Sequence, residues 1–232
     1  MAFLGNDIRG ASAFGNARFA TEPRSFCVGR KTRRDMELIG PRVKLRSWLD
    51  SDCESFATLN ADPKVMEFFP QVFTPAQSIA AFERLKQGIE QRGWGLWVVD
   101  IDEVFAGFTG LAEPNFEAPF TPCVEIGWRF HTRFWGQGYA LEAARMALRF
   151  GFANLRLQEI VSFTARINKR SERLMQRLGM TACPKHDFDH PKIPAGHPLR
   201  AHVFYRIRNR PGLVDEFNTK LEGISNESAP AD

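Results

Sequence analysis

Cysteine is scarce in this chain: four residues (Cys27, Cys53, Cys123, Cys183), widely spaced, with no Cys-x-x-Cys pair. That pattern argues against a disulfide framework or a cysteine-rich zinc site and favours a reducing compartment, read here as the cytoplasm. Long apolar runs are missing. None approaches the roughly 20 residues of a membrane-spanning helix, so no membrane partner is expected. The N-terminus is read as lacking an apolar signal segment. Neither a P-loop run (Gly-x4-Gly-Lys-Ser/Thr) nor a Gly-x-Gly-x-x-Gly/Ala dinucleotide fingerprint occurs. Tyrosine is rarer than cysteine, with Tyr139 and Tyr205 only, so phenolic acids are few. Charge is close to balanced, at a net +4 and a pI near 9.0. That suits an acidic ligand or RNA but decides neither.

What is present is an ordinary globular content, 44% apolar over 232 residues, enough for one sizeable core. Residues 1–35 are rich in Gly, Ala and Arg and include the basic run Arg30-Lys31-Thr32-Arg33-Arg34. They read as a solvated leader. An RNA-contacting arm is the alternative, but no nucleic-acid partner is expected. Residues 36–210 read as the folded domain and 211–232 as an acidic, polar tail, with a short helix allowed over Leu213–Leu221.

Within the domain, hydrophobic periodicity alternates between two and about 3.6 residues. Residues 42–46 alternate as a strand. A helix begins at Asp50 or Ser51. Thr74-Pro75 opens another, with Thr as cap and Pro at the first position; Ile79, Phe82, Leu85 and Ile89 are its expected buried stripe. Leu96–Asp100 and Val104–Leu111 form a hairpin about Asp102-Glu103. Ala112–Cys123 is a loop. Val124–Phe130 alternates, with Val124, Ile126, Trp128 and Phe130 on one face and Glu125, Gly127, Arg129 and His131 on the other.

That strand leads through Phe134-Trp135-Gly136-Gln137-Gly138-Tyr139-Ala140 into a helix with Leu141, Ala144, Leu148 and Phe152 on one stripe. A glycine turn opening onto a helix start is a general anion site, because close backbone approach, unpaired N–H groups and the positive dipole end coincide. Glu159–Phe163 is a further strand. Asn168 caps a helix reaching Leu178, and residues 180–188 and 201–207 close the sheet. The strand-helix-strand order implies a right-handed crossover and parallel neighbours.

The wording Trp135-Gly-Gln-Gly-Tyr-Ala-x-Glu142-Ala resembles the acetyl-CoA pyrophosphate loop of the GNAT N-acetyltransferases, in the branch of the ribosomal-protein N-terminal acetyltransferases. Trp135 stands where the family usually carries Gln or Arg. Asn168-x-x-Ser171-x-x-Leu174-Met175-x-x-Leu178-Gly179-Met180 is similar to a second motif of that family. The resemblance spans roughly residues 38–208. It implies an α/β (α+β) fold: a mixed, mostly antiparallel sheet of about seven strands, flanked by helices, with a central parallel pair splayed to bind coenzyme A.

The resemblance further implies direct acetyl transfer from acetyl-CoA to a primary amine, on a small molecule or a protein N-terminus, with no metal. Gly136, Gln137, Gly138, Tyr139 and Ala140 would hold the pyrophosphate. Trp128, Arg129 and Phe130 would offer an open strand edge to the pantetheine amides and an N–H to the carbonyl oxygen as it gains charge. Asn168 would orient the arm. Many relatives place an acidic Tyr at the position of Met175; Ser171 is the substitute here. Glu125 is the leading base, with Glu113, Asp187 and water as alternatives. Phe68, Phe69, Phe73 and Trp94 are pocket or core residues.

Residues 185–202 hold four of the five histidines and three prolines. A loop over the acceptor pocket, with Asp187, Asp189 or His190 gripping an amine, competes with a plain rigid connection and with a metal site. Two other functions stay open: a non-catalytic module that binds coenzyme A or a protein, and a ribosome-associated protein using its basic leader. A monomer or homodimer fits either.

Overall fold

A computed structural model describes residues 37–227, with side chains as far as residue 224. The basic leader and the last residues of the tail lie outside it. The described residues form nine strands and five α-helices. The strands are β1 (Leu38–Ile39), β2 (Lys44–Arg46), β3 (Leu96–Ile101), β4 (Val104–Ala112), β5 (Glu125–Phe130), β6 (Glu159–Ala165), β7 (Thr181–Ala182), β8 (Phe188–Asp189) and β9 (Ala201–Arg208). The helices are α1 (Asp52–Ala61), α2 (Pro75–Arg92), α3 (Tyr139–Ala153), α4 (Lys169–Arg177) and α5 (Leu213–Glu227). The sheet runs β1-β2-β3-β4-β5-β6-β9-β7, with β8 also on β9. All pairings are antiparallel except β5 with β6. The expected seven strands become nine because β1 is two residues long, too short to show a period in sequence, and because the strand expected over 180–188 is two short pieces, β7 and β8, parted by a 3-10 turn at Pro184–His186.

Local chemistry explains the start of α2 and the β3–β4 turn. Thr74 and Gln77 form a reciprocal capping box with Pro75 at the first turn of α2, satisfying two N–H groups that a helix start leaves open. The β3–β4 turn uses Asp102 and Glu103, both at positive φ (49° and 59°), the twist a two-residue hairpin demands. The stripe of α2 is corrected at one place. Phe82, Leu85 and Ile89 are buried, but Ile79 is 51% exposed. Ser78 and Ala81 complete the buried face instead, because small residues let the helix lie close.

Helices α1 and α2 cover one face of the sheet. There Trp48 meets Phe56 and Phe82 edge-on, with centroids 5.2 and 5.7 Å apart, and its indole N–H donates to the Leu96 carbonyl at 2.7 Å. Arg46 fastens β2 to β3 and α1, through Asp100 at 2.5 Å and Asp52 at 2.7 Å. Helix α3 covers the other face, with Leu141, Ala144, Leu148 and Phe152 buried as expected. The segment read as polar tail begins with α5, whose Leu213, Phe217 and Leu221 are buried; Phe217 stacks on Phe152.

Candidate functional site

Strands β5 and β6 pair at one point only, Glu125 opposite Val161, where the Val161 amide donates to the Val124 carbonyl at 2.9 Å. Beyond it they part. The β4–β5 ladder has a phase set by the His131 amide donating to the Ala106 carbonyl. With Phe108 opposite Arg129, alternation turns the backbone groups of Gly127 and Arg129 toward β4, and those of Ile126, Trp128 and Phe130 toward the opening. Two carbonyls on this edge are answered locally. The Ser162 hydroxyl donates to Ile126 O at 3.0 Å, and the Trp135 indole donates to Phe130 O at 2.9 Å. The Trp128 amide and carbonyl and the Phe130 amide face the opening with no rung of β6 opposite them.

The glycine turn follows directly. Gly136 and Gly138 have φ of 77° and 85°, conformations an L residue enters at a cost of about 1–2 kcal/mol. The first amides tied into α3 are those of Leu141 and Glu142, both donating to the Gly138 carbonyl. The amides from Gly136 to Ala140 have no backbone acceptor among the described residues. The turn is clamped from the residues just before β2: the buried Glu142 carboxylate accepts the Arg42 amide (2.7 Å), the Val43 amide (3.2 Å) and Arg42 Nε (2.8 Å). Arg42 also reaches the Gln137 carbonyl at 3.3 Å and lies 4.9 Å over the Tyr139 ring.

The opposite wall is the start of α4. Asn168 is buried; its Oδ1 accepts the Ser171 amide at 3.2 Å, and its Nδ2 donates to Thr164 Oγ1 (3.0 Å) and Ser171 Oγ (3.1 Å). Ser171 thus has its oxygen held and its own proton available. Arg170 lies 4.3 Å over the Trp135 ring and pairs with Glu67. Together these elements enclose a cleft of about 420 Å³. Its wall includes Trp128, Arg129, Phe130, Gly136, Gly138, Ala140, Asn168 and Ser171. It also includes four residues that periodicity did not single out as site residues: Val65, Arg170, Arg173 and Arg177. Free amides, a helix N-terminus and three arginines make a donor set suited to a polyphosphate chain.

Of the remaining candidates, Gln137 turns its side chain back to the Arg133 carbonyl (2.7 Å), and Tyr139 sits beneath Arg42; neither lines the cleft with its side chain. Glu125 stands at the apex where the strands join, 2% exposed, and burial raises its pKa above the ordinary carboxylate value. Tyr205 lies elsewhere, between Glu172 and Gln176. Phe68 lines the cleft, whereas Phe69, Phe73 and Trp94 pack in or against the core.

The histidine-rich segment folds back against this region. Ile193 and Leu199 pack with Ala165 and Phe68, and Lys192 reaches Asn115 at 2.9 Å. Asp187 is engaged by Arg166 and the Phe204 amide, and Asp189 by Arg200. His190 and His202 are buried with rings 5.0 Å apart, and burial lowers their pKa values to about 3 and about 4. Among the described residues no three His, Cys, Asp or Glu side chains are placed to share a metal ion, and no helix is long and apolar enough to cross a membrane.

A parallel strand pair open along one edge, with a glycine turn and a helix start at its mouth, defines an acyltransferase of the GNAT type. The family model described as "Acetyltransferase (GNAT) domain" matches residues 42–181, and the chain belongs to that family. Among curated relatives, FsC-acetyl coenzyme A-N(2)-transacetylase of Aspergillus fumigatus is 36% identical over 130 residues, covering 53% of this chain and 55% of that one. The match thus spans little more than half of the fungal protein. A GNAT acetyltransferase structure from Bacillus anthracis superposes with a TM-score of 0.61 at 24% identity, covering 75% of this chain and 98% of that one. A ribosomal L7/L12 alpha-N-protein acetyltransferase in complex with coenzyme A gives 0.58 at 17% identity, covering 72% and 94%. Identities this low establish the shared fold alone.

Proposed function

We propose that this protein transfers an acetyl group from acetyl-CoA directly to a primary amine. The observation that carries the reading is the continuity of the cleft, from the free amides at Gly136–Ala140, along the unpaired edge at Trp128 and Phe130, to Asn168 and Ser171. Acetyl-CoA would supply an activated thioester; the chain's own groups supply position and protons. Amides of the turn take the pyrophosphate, helped by Arg170, Arg173 and Arg177. The Trp128 carbonyl and amide pair with the pantetheine amides as a missing strand would. A strand-edge amide not taken by the pantetheine, at Phe130 or Trp128, stabilises charge on the carbonyl oxygen in this reading, an effect on the order of 3 kcal/mol per donor.

Ser171, its oxygen fixed by Asn168, passes its proton to the departing thiolate and is reprotonated from water. Glu125, made more basic by burial, takes the proton of the incoming amine, directly or through water. The folded domain of 36–210 carries the whole apparatus in this reading. A small amine or a protein N-terminus is the acceptor; the ribosomal-protein acetyltransferase among the fold relatives makes the second worth including. Calorimetric titration with CoA, followed by thiol release from acetyl-CoA over a panel of amines and N-terminal peptides, tests the reading. Binding with turnover supports it. No CoA binding overturns it, and binding without turnover on any acceptor leaves a non-catalytic module.

A further inference from the structure

Arg129 presents an anomaly. Its side chain is 3% exposed yet lines the cleft. The guanidinium is boxed by rings, 4.1 Å from the Phe69 centroid, 5.2 Å from Phe108 and 5.7 Å from Phe73. One nitrogen, Nη1, donates to Asn60 Oδ1. Nε and Nη2 have no hydrogen-bond partner among the described residues, and neither does Asn60 Nδ2 beside them. No carboxylate among the described residues pairs with this arginine. Burial alone lowers its pKa, to about 9, so the group is still a cation at neutral pH.

A buried charge without a counter-ion costs several kcal/mol, and each unanswered buried donor adds to that. Three unanswered groups lie together, and all are donors. What satisfies them is a compact anion rich in acceptors. The phosphates of the cofactor have their own donors at the glycine turn and α4. Arg129 shares the β5 face of Glu125, opposite Ile126, and so points to the side covered by α1 and the segment before α2, where Asn60 and Phe69 lie. A planar carboxylate matches a guanidinium fork bidentately and leaves an oxygen lone pair for Asn60.

We infer that the acceptor is a small amino acid, its amine presented to the thioester and its carboxylate gripped by Arg129 and Asn60. This rests on the acetyl-transfer reading above. It also separates acceptors by chemistry: simple polyamines and protein N-termini, which lack a carboxylate next to the amine, leave the arginine unanswered.

The test pairs each amino acid of a panel with its own carboxamide. Thiol release from acetyl-CoA gives kcat/KM for both, in the natural chain and in Arg129→Met, whose side chain keeps the apolar stem. The natural chain is expected to prefer the acid over the amide by about 10–100-fold for its best acceptors, the range of a charge-assisted hydrogen bond. In Arg129→Met the ratio falls toward one, while the melting temperature holds or rises because an uncompensated charge has gone. An arginine with a purely structural role would lower the melting temperature and slow acid and amide alike.

Thermal shifts with the same acid and amide pairs, run with and without CoA, read the arginine whatever the turnover result. Equal shifts for acid and amide, equal kcat/KM, or an unchanged ratio in Arg129→Met overturns the inference. Failure of CoA to bind, with acids still shifting the melting temperature and amides not, sinks the acetyl-transfer reading and leaves the carboxylate site standing.

Discussion

Replacing Glu142 with Ala should be among the most damaging single changes available in this fold, although Glu142 touches no substrate in the proposed mechanism. The carboxylate is fully buried and serves three donors on Arg42 and Val43, just before β2. Losing it strands two backbone amides, Arg42 and Val43, each at about 1–3 kcal/mol. It also releases Arg42, whose 31% exposure lets water screen the lost ion pair to under ~1 kcal/mol. The sum is roughly 2–7 kcal/mol. For a chain of this length that corresponds to a fall in melting temperature of about 4–28 °C.

Glu142→Gln separates the parts. Its amide oxygen still accepts the two backbone N–H groups, so only the Arg42 side chain loses its partner, and the loss should be under ~1 kcal/mol. Urea denaturation of both variants at one pH gives the two numbers. The glycine turn hangs from the same helix, so CoA affinity should fall in the order Ala, then Gln. If Glu142→Ala lies within 1 kcal/mol of the natural chain by that assay, the assignment of this carboxylate as the fastening between β2 and α3 is refuted.

Ser171→Ala should lower kcat about 100–10,000-fold, the usual scale for a general acid, with little change in CoA affinity; an unchanged kcat dismisses the serine as acid. For Glu125, burial raises the pKa and the deprotonated form is the active one, so kcat/KM should climb with pH through that raised value, and Glu125→Gln should flatten the climb while lowering the plateau. A profile with the same rising limb in the variant assigns the base elsewhere. His190 and His202 titrate in the opposite sense for stability. Their folded pKa values lie below the ordinary 6.5, so the unfolded chain takes up protons first. Stability is complete above pH 6.5 and drains as pH falls toward about 4 and about 3. By about pH 5 each imidazole should cost roughly 1–2 kcal/mol; equal denaturation midpoints at neutral pH and about pH 5 contradict the burial of both rings.

The parts of this fold that rest on neighbours in sequence were readable before any coordinates. Thr74-Pro75 and Gln77 announce α2 because a capping box needs only four residues. The β5-turn-α3 unit is likewise local, and so is the Asn168–Ser171 pairing, three residues apart. Ile79 was misassigned because a helical period tolerates either of two adjacent faces, and the choice went to small residues that sequence hydrophobicity undervalues. Helix α5 was partly hidden by its polar composition, although Leu213, Phe217 and Leu221 repeat every four residues.

The long-range pairs were not readable at all. Arg42 and Glu142 are 100 positions apart and Asn60 and Arg129 are 69 apart. Nothing in a single sequence ties one to the other. The arginines of α4 were visible as charge but not as a cleft wall, since on an isolated helix a basic face is usually just solvated.

The lone bridge between β5 and β6 makes the sheet two wings joined at a spine. Ser162 and Trp135 blunt part of the bare margin, yet Trp128 still offers an amide and a carbonyl to whatever lies alongside. A guest that fills this gap becomes a structural rung as well as a reactant, so its arrival should quieten hydrogen exchange in both wings at once.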